Sequence, residues 1–462
     1  PVHVGIQTCD LGRGRERLEQ LELIDWPAVA LSRQRLLRQL FEDFNRGGNA
    51  QQVDFDSFRA SGGEALENHC RFEALHDHLR DAEGNPQHWN AWPAEYRDPA
   101  SPAVAGFARE HADAVSYHAF GQWLMARGLQ RAHVAARSAG MRIGLISDLA
   151  VGPDGGGSQA WSGQAELLAA LSVGAPPDVM NRAGQNWGIS AFSPWGLQRH
   201  GFRAYIEMLR ANLAHAGGMR IDHVLGLKRL WVMPAGADPK RGVYLNYPFD
   251  DMLRLLCLEA WRHRAVILGE DLGTIPEGLR EVLAARGILG MRVLLFEQHD
   301  GHFQRAGQYS DQALATSTTH DIPPLAGWWS GHDIDWRIRI GQLSEADRES
   351  QWRAREHERA GLNRVLCEDG GRDPGQLLEV EQAVDAAACF LGHTPAPLAL
   401  LPVEDALGLS EQTNMPGIVE IHPNWRRRYP YDSATLLDQP VCSRRLHCLN
   451  KARHDHREGS RR

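Results

Sequence analysis

Five acidic side chains, Asp148, Asp222, Glu270, Asp321 and Asp405, stand at the ends of short apolar runs: MRIGLISD (141–148), GMRIDH (218–223), AVILGED (265–271), ALATSTTHD (313–321) and PLALLPVED (397–405). An Asp so placed often caps the helix that follows a strand, so any one of them alone says little. Five together are different. Capping would not ask for Glu in GED, nor for Arg220, His223 and His320 as neighbours. Convergent carboxylates serve a metal ion or glycosyl transfer. A metal centre would favour directly coordinating His and Asp, and no HExxH or comparable pair is present. Retaining glycosyl transfer needs an ionised carboxylate as nucleophile and a carboxylic acid about 5 to 5.5 Å from it, which adjacent strand ends supply. The acid must be kept protonated by burial or an anionic neighbour, and the nucleophile kept charged by a cation. Arg220 is two residues before Asp222, on the same face of a strand.

The elements that would position these groups follow from the hydrophobic pattern. From residue 141 onward, apolar runs end in an acidic or polar residue and lead through a loop to an amphipathic helix; MRVLLFE (291–297) is a sixth such run. This is β/α alternation, and near-continuous apolar strands fit a parallel sheet covered on both faces. In 250–264, Leu253, Leu256, Cys257, Ala260 and Trp261 form one helical stripe. Thr274 and Glu277, with Pro276 between them, read as a capping box opening the next helix. In a (β/α)8 barrel the strand C-termini carry the site.

Residues 16–140 read as mostly helical. Leu18, Leu21, Leu23 and Ile24, then Leu36, Leu37, Leu40, Phe41 and Phe44, recur near the helical period, and a second helical block covers about 103–139. Trp89, Trp92, Pro93, Tyr96, Pro99 and Pro102 lie between them and are expected to pack helix layers together. The chain thus divides into a helical insertion subdomain (1–140), a catalytic barrel portion (141–440) and a basic tail (441–462) expected to be a solvated end.

The chain has 462 residues, a formal net charge of -8 and a pI near 6.3. This gives no general attraction to nucleic acid or to anionic membranes. Seven cysteines without a CxxC pair read as reduced, mostly buried thiols of a cytoplasmic protein. No run reaches the length of a membrane span, and Asp10, three Arg and two Glu occupy the first 20 residues in place of a signal-peptide core. Gly155, Gly156 and Gly157 could turn a chain around phosphate, but no GK[ST] follows.

Six segments together resemble the 4-alpha-glucanotransferase family, also called amylomaltases or disproportionating enzymes: GAPPDVMNRAGQNWG (174–188), MRIDHVLGLKRLW (219–231), YLNYPFDD (244–251), ILGEDLGTIP (267–276), TTHDIP (318–323) and HPNWRRR (422–428). The resemblance covers most of residues 141–430. It implies Asp222 as nucleophile, Glu270 as general acid and base, and Asp321 as stabiliser of the transition state. Arg220 and His320 would hold the sugar at the cleavage point, and Asp148 would support the site. Pro177, Asp178, Gln185, Asn186 and Trp187 would lie on a loop over the glucan groove. The implied reaction moves a segment of a 1,4-alpha-glucan such as maltodextrin to a new 4-hydroxyl with retention, and needs neither metal nor organic cofactor. An alpha-glucan hydrolase and an inactive fragment that at most binds glucan are the alternatives.

One departure stands against this match. The family's first two barrel strands and a tyrosine- and proline-rich loop find no counterpart before the helical region, and only six strand candidates follow residue 141, where closure needs eight. The expected fold is therefore a TIM-type (β/α)8 barrel with helical insertions that lacks its first two strands, as in an N-terminally truncated sequence.

Overall fold

Leu37, Leu40, Phe41 and Phe44 form the inward stripe of the helix Trp26–Gly47, with Phe41 fully buried. They pack on the helices Ala50–His78, Pro102–Glu110 and Ala112–Ser138. Phe55, Phe72, Phe120 and Trp123 complete an aromatic core, the Phe44 and Phe120 rings lying 4.9 Å apart. Trp89 and Trp92 pack as the sequence indicates, and their indole N–H groups donate to the carbonyls of Gly155 and Gln87. Ser101 caps the helix that begins at Pro102, its hydroxyl accepting from Val104 N. At His111 the backbone leaves the helical region (φ -110°, ψ 38°), so the expected 103–139 block is two helices.

The computed structural model describes residues 9–47, 50–177, 183–418 and 421–459. Two compact units divide the chain: the first holds Pro27–Glu270 with the chain before Gln20, the second Gln20–Trp26 and the chain from Asp271 onward. Seven described strands belong to the first: β1 (Ile146–Leu149), β2 (Leu171–Ala175), β3 (Gln185–Asn186), β4 (Gly218–Ile221), β5 (Arg229–Pro234), β6 (Val243–Asn246) and β7 (Val266–Gly269). Five belong to the second: β8 (Gly290–Val293), β9 (Gln298–His299), β10 (His302–Phe303), β11 (Ala313–Thr316) and β12 (Leu398–Leu400).

All six expected apolar strands are present, as two three-stranded parallel sheets. In the first unit the order is β1-β4-β7, with Asp148 opposite Arg220 and Arg220 opposite Leu268. In the second it is β12-β11-β8, with Thr316 opposite Val293 and Leu400. The first unit adds an antiparallel sheet, β3-β2-β5-β6, which the strand-to-helix repeat of the sequence does not predict. Leu230 and Val232 alternate with half-buried Arg229 and Trp231 in β5, the period-two signal of a sheet with one wet face.

Several expectations need correction. The helix Phe249–His263 buries Met252, Leu253, Leu256 and Ala260, whereas Trp261 is 77% exposed, because the buried face is centred one residue earlier than the expected stripe. No capping box forms at Thr274 and Glu277; the next helix, Leu279–Ala284, starts after Gly278, whose φ of +77° turns the chain in from outside the helical region. Leu21, Leu23 and Ile24 do not continue a helix: Cys9–Glu19 ends, and Leu23 bridges Arg427 while Ile24 N donates to Arg426 O. The basic tail is largely the helix Pro440–Gly459, anchored through buried Cys442, Arg445, Leu449 and Ala452. Cys70, Cys367 and Cys442 are free thiols, but Cys389 and Cys448 form a disulfide with a Cα–Cα distance of 5.2 Å. They lie on two helices, Val380–His393 and Pro440–Gly459, a pairing that sequence spacing does not announce. No helix of the described residues is long and apolar enough to cross a membrane.

Candidate functional site

The strand ends of the first unit bring Asp148, Arg220, Asp222 and Glu270 together. Parallel register sets Asp148 beside Arg220, and the guanidinium reaches both neighbouring acids, Nη1 to Asp148 Oδ1 at 2.6 Å and Nη2 to Asp222 Oδ1 at 2.9 Å. Burial works against the Arg220 charge, but Asp148 and Asp222, and more weakly Glu270, outweigh it and hold its pKa above the usual value. Arg220 therefore stays cationic between the carboxylates, and Asp222, its side chain 34% exposed, can meet a ligand.

Glu270 is held by the chain that follows β4. Its backbone N donates to Ile221 O, its carbonyl accepts from Val224 N, and its Oε2 accepts from His223 N at 2.8 Å. His223 takes a left-handed conformation (φ 48°, ψ 61°), an uncommon one for a residue with a side chain, and such strain gathers at functional sites. Burial lowers the His223 pKa to about 4, so the ring is neutral at pH 7. The ring meets Trp187 edge to face at a centroid distance of 5.5 Å. An apolar cleft of about 40 Å³ beside Asp222 is too small for a sugar.

The segment expected to loop over the groove is a β-hairpin. Gly174 pairs with Asn186 and Ala175 with Gln185. Asn186 Oδ1 accepts from Ser172 Oγ at 2.5 Å and from Gly188 N at 3.0 Å, which fixes the turn into Trp187. Trp187 N bonds to Val173 O, and its indole donates to Gln185 Oε1. Pro177 is exposed at the end of the described part of the hairpin. Asp178 lies outside the described residues.

His320 and Asp321 form a second group, in the second unit. His320 Nε2 is 3.1 Å from Asp321 Oδ2, while Asp321 Oδ1 accepts from Asn414 Nδ2 at 2.6 Å and its carbonyl from Gln412 Nε2 at 3.0 Å. Asn414 N donates to His320 O. The His320 ring lies 5.3 Å from that of Trp425, a half-exposed residue with φ +58°. A groove of about 620 Å³ opens beside His320, lined in part by Glu22, Glu404, Glu411, Trp425, Arg427 and Tyr429. Sequence reasoning missed Gln412, Asn414 and Trp425 as neighbours of this pair. Trp425 stands in the HPNWRRR segment, and Gln412 and Asn414 in the adjacent QTNMPG, whose polar and Gly/Pro-rich composition is the signal of a loop able to reach a site. Among the described residues no group of His, Cys, Asp and Glu is arranged to hold a metal ion.

Three relatives carry the comparison further. A 4-alpha-glucanotransferase of Mycobacterium tuberculosis is 36% identical over 448 residues, which is 95% of this chain and 60% of the relative. One of Haemophilus influenzae is 28% identical over 449 residues, 94% of this chain and 64% of that protein. The crystal structure of amylomaltase from Corynebacterium glutamicum superposes with a TM-score of 0.79 at 29% identity, over 93% of this chain and 60% of that one. The chain thus spans about 60% of the length of the mycobacterial relative. The profile of a family described as 4-alpha-glucanotransferase matches residues 4–434, and with parallel strands that carry the motifs in order, the chain belongs to that family.

Proposed function

We propose that this chain carries the catalytic apparatus of a transglycosylase that disproportionates 1,4-alpha-glucans. The observation that carries this reading is Arg220, a half-buried cation shared between Asp148 and Asp222 at the end of a parallel sheet, with Glu270 pinned at the end of the next strand. Asp222 attacks the anomeric carbon, and Glu270 gives its proton to the departing glycosidic oxygen. The covalent glucosyl-enzyme so formed is then attacked by the 4-hydroxyl of an acceptor, whose proton returns to Glu270. Two inversions give retention. Asp321 steadies the oxocarbenium-like sugar, and His320 binds it. Transfer outruns hydrolysis where sugar fills the acceptor site and water is kept out, a task that fits the sequence segment with Pro177, Asp178, Gln185, Asn186 and Trp187. The groove beside His320 has aromatic faces and carboxylates, the chemistry that suits the apolar faces and hydroxyls of further glucose units. The six parallel strands, with the likeness to amylomaltases, favour a TIM-type (β/α)8 barrel as the architecture to which they belong.

The purified chain, supplied with maltotriose, should yield free glucose together with longer maltodextrins. Reducing ends rising without longer products would mean a hydrolase. Calorimetric binding of maltodextrin without turnover would mean a glucan-binding chain that does no chemistry.

A further inference from the structure

Asp405, expected at a strand end, stands instead five residues past β12 and has no part in the chemistry above. It lies in the short helix Val403–Leu407 and is fully buried. A carboxylate so placed is costly unless hydrogen bonds replace its water, and three do. Oδ2 accepts from Ser317 Oγ at 2.5 Å and from Thr318 Oγ1 at 2.6 Å, and Oδ1 accepts from Leu325 N at 2.7 Å. Ser317 and Thr318 precede, and Leu325 follows, the six residues 319–324 that include His320 and Asp321. One buried carboxyl group therefore ties both ends of that segment.

The helix that carries Asp405 is itself held from behind through its backbone. Arg445, fully buried on the helix Pro440–Gly459, donates through Nη1 to the carbonyls of Asp405 and Ala406, at 3.1 and 3.2 Å. Its remaining donors go to Asp385 at 2.8 Å and Glu381 at 2.5 Å. At Gly408 an added Cβ would stand 2.8 Å from Arg445 Nη1. The tail helix, the Asp405 helix and the 317–325 segment are thus linked by hydrogen bonds in series.

We propose that Asp405 is a positioning residue: its carboxylate staples the ends of the 319–324 segment and so sets where the Asp321 carboxylate and the His320 imidazole stand. The consequence for catalysis rests on the role proposed for Asp321, whereas the stapling does not. Capping of the helix Leu325–Ser330 alone would leave the segment's N-terminal end untied, but Ser317 and Thr318 tie it as well.

The test uses the full chain with Asp405→Ala, Asp405→Asn and Thr318→Val, read by maltotriose kinetics and by the His320 ring resonances in NMR, assigned through His320→Gln. Asp405→Ala should lower kcat by about 100-fold, a loss typical of displaced electrostatic stabilisation, while KM stays within about threefold. Asp405→Asn, which keeps an acceptor for Leu325 N and the same shape, should recover most of the rate. The His320 resonances should move in Asp405→Ala and Thr318→Val and return in Asp405→Asn. Activity that falls only with the folded fraction, or His320 resonances that stay put in folded Thr318→Val, overturns the proposal. If the unaltered chain transfers no glucosyl units, the functional reading fails, and the resonances alone decide the stapling.

Discussion

Arg220 answers to two acids at once, and its removal should therefore be felt beyond lost binding. Arg220→Met leaves Asp148 and Asp222 without their shared cation; kcat for maltotriose disproportionation should fall by about 10² to 10³. Steady-state kinetics check this, and a fall in kcat/KM through KM alone would assign Arg220 to ground-state binding. Asp222→Asn removes the proposed nucleophile and should cost on the order of 10⁴-fold or more in transfer, measured by chromatography of the products; a normal rate would overturn the assignment. His223 gives a prediction of a different kind. Its folded pKa of about 4 lies below the ordinary 6.5, so the unfolded chain takes up the proton first as pH falls. The stability tied to its neutral form is complete above pH 6.5 and is lost between 6.5 and 4. His223→Asn, tolerant of the left-handed backbone, should flatten this acid limb by on the order of 1 to 3 kcal/mol, seen by calorimetry at pH 7 and pH 4.5.

At the scale of elements, the hairpin β2-β3 depends on a missing side chain. A Cβ on Gly174 would stand 1.9 Å from Gln185 O, too close for the strands to pair. Gly174→Ala should force them apart at a cost of about 1 to 3 kcal/mol and free Trp187, which is tied to Val173 O. Indole fluorescence and maltodextrin binding report the change; unaltered binding would remove the hairpin from the proposed groove. The parallel strands β4, β7 and β11 were legible in the sequence because burial on both faces writes them as nearly unbroken apolar runs. The antiparallel sheet was not, since β5 and β6 are only six and four residues long and β6 shows no alternation of buried and exposed positions.

The whole molecule carries a net charge of -8, yet a glucan has none. Maltotriose turnover should therefore change by less than about twofold between 50 and 500 mM NaCl, as no long-range attraction is there to be screened.

Composition and periodicity alone determined the six parallel strands and the acids Asp148, Asp222 and Glu270 that end three of them, because these depend on local apolar spacing and on which residue follows it. They reached Arg220 beside Asp222 through the two-residue repeat of a strand. Tertiary structure decided the rest. That Asp148 shares the same guanidinium follows from pairing across 72 residues, that His223 N reaches Glu270 across 47, and that Asn414 reaches Asp321 across 93. The Cys389–Cys448 bond and the burial of Arg445 are of the same kind. Such partners are chosen by packing and register, and neither is written in the neighbourhood of the residue itself.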